Sequence, residues 1–203
     1  MSRAEGLMGG EDRQKILAAA EALFTRQGYE PVSVNEIAEK SGVPLPALQS
    51  LFPSKKDMLQ ELLEQHDPSA DLRAVFRHLP NTSPEDLLRT SLEGLFAVLE
   101  AHRAFAHLAM IDAQVNQGAY LTALFEDLIG DAAGFVNYLS TLPGVRPIPT
   151  MILGRALASL LIGFLTSQQL APESVQRALR LFPQKAWVEG LTDLILNGIL
   201  EEA

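Results

Sequence analysis

The stretch Ser41–Leu59 reads SGVPLPALQSLFPSKKDML, and its punctuation decides the fold. Ser41-Gly42 offers a stop to whatever helix precedes it, because glycine takes a left-handed conformation without steric cost. Pro44 and Pro46 suit a first helical turn, where a missing N–H has no partner to lose. Each proline also pushes its predecessor out of helical geometry. The spacing therefore predicts a helix that starts near Pro46, leaves Leu45 outside, and lasts about a turn and a half before Pro53 ends it. Leu48 and either Leu51 or Phe52 would face inward. Ser54 caps the next helix with Asp57 at its third position, and Met58, Leu59, Leu62 and Leu63 form that helix's apolar face. The segment left to face outward, Pro44 to Ser50, has no charged residue.

Working upstream, Ile16, Ala19, Ala20, Leu23 and Phe24 recur at helical spacing from Asp12 onward, and Gly28 ends that run. In VSVNEI, Val32–Ile37, Ser33 and Glu36 stand three apart as a capping box, with Val32 and Ile37 placed as its hydrophobic staple. A short second helix, Val34–Lys40, follows. A helix, a glycine turn and a further helix make a helix-turn-helix. Residues 1–10 read as a mobile tail of small residues, 11–56 as the helix-turn-helix domain, and 57–203 as a second, helical domain.

Downstream, NTSPED carries Ser83 as cap and Pro84 as first helical residue. Apolar periodicity then predicts helices over Pro84–Ala101, Ala104–Gln114, Ala119–Ser140, Thr150–Gln168, Pro172–Leu181 and Gln184–Leu200, broken by one long loop, TLPGVRPIP (Thr141–Pro149). The most apolar stretch, ALASLLIGFL (Ala156–Leu165), is half the roughly 20 residues needed to span a bilayer, so no membrane partner is expected. Alanine and leucine dominate, and the fold class is all-α.

The chain has 203 residues, 47% of them apolar, no cysteine and a formal charge of −9. The missing cysteines exclude disulfides, thiol nucleophiles and thiolate zinc sites. The acidic balance argues against binding to nucleic acid by bulk charge alone. The amino terminus lacks an apolar core of signal-peptide length, and a cytoplasmic protein is expected. His102 and His107 are five apart, which is not the spacing of a helical metal pair. Asp112, Glu126, Asp127 and Asp131 include helical neighbours, but no histidine or serine joins them in a catalytic set. No phosphate-binding glycine loop occurs. The expectation is a protein that is not an enzyme and needs no cofactor or metal.

ILAAAEALFTRQGYEPVSVNEIAEKSGV (Ile16–Val43) and LFPSKKDML (Leu51–Leu59) carry a specific combination: apolar spacing, a glycine-aromatic end to the first helix, a Ser-x-x-x-Ile-Ala core and a Phe-x-x-Lys junction. In these motifs the chain resembles the Tet-repressor (TetR) family of one-component bacterial regulators over about residues 12–63. Beyond that the likeness rests on length and helical character. The departures lie on the third helix. Pro44 stands where the family usually has serine, Leu45 where it often has lysine, and Ala47 where it has threonine or serine. Gln49 replaces a frequent phosphate-touching tyrosine, and Ser50 a histidine or aromatic.

The resemblance implies an amino-terminal helix-turn-helix domain that binds operator DNA, with a carboxy-terminal bundle that binds a small effector and dimerises. Residues 1–66 hold seven Lys/Arg against ten Asp/Glu, a net of −3 where a basic face is expected. The phosphate ligands implied are Lys55, Lys56, the Ser33 hydroxyl, and Arg3 or Arg13 from the amino-terminal arm. Gln49 and Ser50 remain for base edges, Leu45 or Ala47 for a thymine methyl, with Pro44 at the helix start. Phe96, Met110, Gln114, Tyr120, Phe125, Tyr138 and Phe164 are candidates to line an effector pocket, each of them singly more often core. Gly154, Ala158, Leu161 and Leu165, with Trp187, Leu191, Leu194 and Ile195 on the last helix, are the candidate homodimer interface.

Two readings follow. One is a TetR-like regulator, most often a repressor in that family, responsive to a small, largely apolar ligand. The other is an interaction module that keeps the fold while its DNA binding is weakened or lost.

Overall fold

The computed structural model describes the backbone of residues 3–79, 82–170, 172, 174–175, 177 and 181–199, and their side chains except at 3–8, 161, 164–170 and 199. The helices are α1 (Arg3–Gln27), α2 (Val34–Ser41), α3 (Leu45–Leu51), α4 (Lys55–Gln65), α5 (Ser69–Arg77), α6 (Pro84–Ala101), α7 (Arg103–Val115), α8 (Ala119–Thr141), α9 (Thr150–Leu170) and α10 (Gln184–Ile199). No β-strand occurs among the described residues. The expected helix Pro172–Leu181 falls mostly outside them.

Two compact units form. The first takes residues 1–68 and 102–125, the second 69–101 and 126–203. The boundary read from sequence, between residues 56 and 57, falls instead inside α4, whose buried face belongs to the first unit.

In the first unit α1 packs on α2 and α4, and α4 also packs on α7. Ile16, Ala20, Phe24, Ile37, Leu48, Met58, Leu59, Leu62, Leu63 and Leu108 are fully buried. The α1 stripe is the one its periodicity indicates, but the helix starts at Arg3, ahead of the expected Asp12, and takes in most of the segment expected as a tail. Each added residue gains a helical hydrogen bond, and the Gly9-Gly10 pair, at about 1 kcal/mol each, is not enough to break the run.

In the second unit α10 lies along α6, and Leu87, Leu88, Leu92, Phe135, Leu139, Leu153, Val188, Leu191 and Ile195 share one core. The loop after α8 is part of that core, since Leu142 and Val145 are buried. Arg73 and Arg77 of α5 reach α8, where Arg77 Nε donates to Asp131 at 2.6 Å and Arg73 pairs with both Asp127 and Asp131. These carboxylates are thus struts between helices. The paired guanidinium of Arg77, foremost, holds Asp131 below the ordinary carboxylate range.

The expected dimer residues fall into different environments. Leu191 and Ile195 are buried in the unit's own core, and Gly154 is turned toward Val136, 3.6 Å from where a Cβ would stand. A helix with apolar residues all round has two faces to satisfy, and sequence alone cannot say which one the chain itself covers. Leu194 and Ala158 are exposed, Trp187 is half-buried against Phe182, and Leu161 and Leu165 lie outside the described side chains. Met151, Ile152 and Ile162 of α9 are also exposed.

Gly42 has a φ of 69°, and nothing lies within 4 Å of a Cβ added there. Gly42→Ala should therefore cost only the left-handed strain that it introduces, about 1–2 kcal/mol. Thermal unfolding of the full chain should show a lower midpoint; an unchanged midpoint would remove this cap from the account.

Candidate nucleic-acid interface

The helix-turn-helix is fixed at each corner by local chemistry. Ser33 caps α2: its hydroxyl accepts the Glu36 N–H, and its own N–H and hydroxyl donate to the Glu36 carboxylate at 2.8 and 2.9 Å. Val32 and Ile37, the staple, are both buried. At the other end Gly42 N–H reaches Glu39 O, and the Ser41 hydroxyl donates to Ala38 O at 3.1 Å while accepting Val43 N–H.

α3 contains Leu45, a correction to the sequence expectation. Ala47 and Leu48 N–H both donate to Pro44 O, at 2.9 and 3.0 Å, so the first turn closes through the proline carbonyl. The pre-proline restriction on Leu45 is outweighed because Pro46 sits in the first turn, where its absent N–H costs nothing. Leu48 is 0% and Phe52 1% exposed, anchoring the helix from below. Pro44, Pro46, Gln49 and Ser50 are exposed, and Leu45 and Ala47 are half-buried. Pro46, Gln49 and Ser50 share one outward face at three- and four-residue spacing. That face is uncharged.

The cations expected to hold phosphate divide sharply. Arg13 is committed inward: its Nε donates to Glu61 at 2.6 Å, its second nitrogen pairs with the same carboxylate, and its plane lies 4.5 Å over the Phe52 ring. Lys55 is likewise committed. Its Nζ donates to the carbonyls of Val32 (2.7 Å), Tyr29 (2.8 Å) and Glu30 (3.3 Å), and stands 4.4 Å from the Tyr29 ring centre. An ammonium has three donors, and all three are used. Both residues have partners within the fold that no sequence pattern prints: backbone carbonyls for Lys55 and, for Arg13, a carboxylate 48 positions away. Lys56 and Lys40 are exposed, with no ion pair among the described residues. The Arg3 side chain lies outside those described.

The effector candidates are divided between the two units. Met110, Gln114, Tyr120 and Phe125 belong to the first unit, Phe96 and Tyr138 to the second, and Phe164 lies outside the described side chains. Gln114 and Phe125 are exposed. The Tyr120 hydroxyl donates to Asp67 at 2.6 Å, and burial, then that bond, raises its pKa above the ordinary phenol range. Buried Asp112, weighed in the sequence only as a catalytic carboxylate, accepts the N–H of Tyr120 (3.0 Å) and the Asn116 side-chain amide (2.9 Å), which fixes the corner from α7 into α8. In the same unit His66 meets Glu21 at 3.2 Å and its carbonyl accepts His102 Nδ1–H at 2.9 Å, giving both histidines structural partners.

Residues 16–62 match the family model of bacterial regulatory proteins, tetR family. The chain is 32% identical over 98 residues to the HTH-type transcriptional regulator EthR of Mycobacterium tuberculosis, covering 47% of this chain and 45% of EthR. It thus spans about half the length of that curated relative. Its fold superposes on the TetR-family regulator PfmR from Thermus thermophilus (TM-score 0.67, 21% identity, 90% of this chain and 97% of that one). The SmeT–triclosan complex is similar (TM-score 0.66, 19% identity, 95% and 93%). In sequence the likeness to the tetR family thus lies in residues 16–62, and along its length the chain shares the fold of these solved regulators.

The Glu36 carboxylate is held below the ordinary carboxylate range by the Ser33 N–H, then the Ser33 hydroxyl, then the charge of Lys55. A depressed carboxylate contributes stability that is full above its ordinary value of 4.5 and is lost as pH falls through the lowered value. The stability advantage of the wild type over Glu36→Gln, measured by urea unfolding, should shrink as pH falls from 7 to 3. An advantage independent of pH would show that the ionised box is not what caps α2.

Proposed function

We propose that this chain is an effector-responsive transcriptional regulator that binds operator DNA as a homodimer, with α3 in the major groove. The observation that carries this reading is the contrast within α3: Leu48 and Phe52 are buried beneath, while Gln49 and Ser50 stand exposed on the opposite face. A short helix so anchored presents side chains to base edges. Gln49 pairs with adenine, a bidentate contact worth about 1–3 kcal/mol of discrimination. The half-exposed Leu45 and Ala47 meet thymine methyls. The protein works where bacterial DNA is, in the cytoplasm; among the described residues no single helix is long and apolar enough to cross a membrane.

The second copy is seated on the exposed apolar face of α9 and α10, where Met151 is 87%, Ile152 62% and Leu194 67% exposed. Patches of this kind on a soluble chain mark association surfaces. The effector is a small, largely apolar molecule, as the SmeT complex with triclosan supports, and Phe96 and Tyr138 of the second unit are its aromatic contacts. Repression relieved by effector is the sense proposed. By linkage, DNA weakens effector binding by the factor with which effector weakens DNA binding.

With Lys40 and Lys56 as the phosphate ligands, a dimer makes about four such contacts, and log K should fall with log salt at a slope of roughly −4. Titration of the DNA flanking its own gene at several salt concentrations tests this. No complex at low salt from an intact dimer would favour the interaction module, whose supporting observation is the uncharged α3 face. Replacing thymine by uracil beneath Leu45 or Ala47 should weaken binding about fourfold per methyl, near 0.8 kcal/mol. Insensitivity to every such replacement would remove the methyl contacts. Ile152→Asp with Leu194→Asp should yield a folded monomer in sedimentation and abolish operator binding; a dimer that persists would move the interface elsewhere.

A further inference from the structure

We propose that Lys55 is the positioning residue for DNA reading, a tether that holds the α1–α2 turn on the start of α4 and so sets the angle of α3. The inference rests on the regulator reading for its functional consequence, but the tether itself stands on geometry. Three carbonyls converge on Lys55 Nζ, at 2.7, 2.8 and 3.3 Å, from Val32, Tyr29 and Glu30. They sample the turn at its second and third residues and at the residue directly before the Ser33 cap. Tyr29 lies under the ammonium and packs on buried Phe24, with ring centres 5.1 Å apart, so the turn is gripped from both sides. α2 departs at Ser33 and α3 follows after Gly42. The direction of α3 is thus inherited from the turn that Lys55 holds.

The placement is otherwise unfavourable. Lys55 is the first residue of α4, where the helix dipole disfavours a cation. The carbonyls, each carrying partial negative charge, offset that cost. An uncharged α3 makes the tether consequential, because hydrogen bonds and methyl contacts act over short distances and lose their value when misplaced by about 1 Å. A charged helix would tolerate more error, since Coulomb attraction falls off slowly.

The test compares Lys55→Arg and Lys55→Met in the full-length protein. Arginine keeps the positive charge and is at least as good a phosphate ligand, but its planar fork does not fit a seat for a pyramidal ammonium. Methionine keeps an apolar stem on Tyr29 and removes the charge. The tether predicts that both variants lose about tenfold or more in affinity for the specific site, that neither loses affinity for unrelated duplex, and that the salt slope is that of the wild type. Lys55→Arg with wild-type affinity, or a Lys55→Met slope shallower by about 0.9 per lost contact, would overturn the proposal in favour of a phosphate ligand. Circular dichroism at the assay temperature confirms that both remain folded, and Lys55→Ala replaces either that does not. Amide hydrogen exchange supplies a readout independent of DNA. Residues 28–37 and 43–52 should exchange faster in Lys55→Met, with α7 unchanged. Unchanged exchange there would sink the tether even if the wild type binds operator, whereas a wild type that binds no DNA would sink the regulator reading and leave the exchange result to decide the tether.

Discussion

A helix of seven residues has almost no stability of its own in water, because nucleation fixes several dihedrals for each first hydrogen bond. α3 exists because Leu48 and Phe52 are withdrawn from solvent into the first unit, where α3 packs on α1 and α2. Burying two such side chains contributes about 3–6 kcal/mol. That is enough to hold a short helix with a proline in its first turn and no side-chain cap. Everything proposed for the outer face depends on this anchorage, since side chains read base edges only when the backbone that carries them is still.

The same economy governs charge. A DNA-binding surface ordinarily turns its cations outward, where they release counterions from the duplex. Here two part-buried cations of the amino-terminal domain are engaged by partners within the fold. Arg13 joins α1 to α4 through Glu61 and covers the Phe52 ring, and Lys55 joins α4 to the turn before α2. Both links run between elements distant in sequence, so they fix the mutual angles of the helices rather than their individual stability. With positioning supplied in this way, specificity can rest on a few neutral contacts, and the attraction of bulk charge is surrendered.

What was legible in the sequence follows the range of the interactions concerned. The Ser33–Glu36 and Ser54–Asp57 boxes span three residues, and the pattern alone placed both caps. α6 begins and ends where its periodicity and the Ser83-Pro84 pair put it. Leu45 lies inside α3, against the pre-proline rule, because that rule is local and the bonds that close the first turn on Pro44 O outweigh it. The partners of Lys55 and Arg13 were not legible for a deeper reason. A lysine after a Phe-x-x spacing looks the same whether it meets a phosphate or three carbonyls, and only the folded turn brings the carbonyls there. Leu191 and Ile195 belong to the same class: an apolar stripe declares that something covers it, but not whether the cover is α6 or another molecule.

The exposed residues that remain on α9 and α10 bear on how a thin set of contacts can suffice. In the proposed complex, a single amino-terminal domain with one bidentate contact, a methyl or two and two phosphates would gain only a few kcal/mol over its losses on association. Two such domains on one dimer convert the second docking event into an intramolecular one, at an effective concentration in the millimolar range when the spacing fits the half-sites. The apparent affinity then multiplies without any new contact, and it collapses when the spacing changes. A regulator whose individual domains bind weakly is for that reason the more sensitive to an effector. Little intrinsic affinity remains to hold a domain on DNA once its partner has been moved off register.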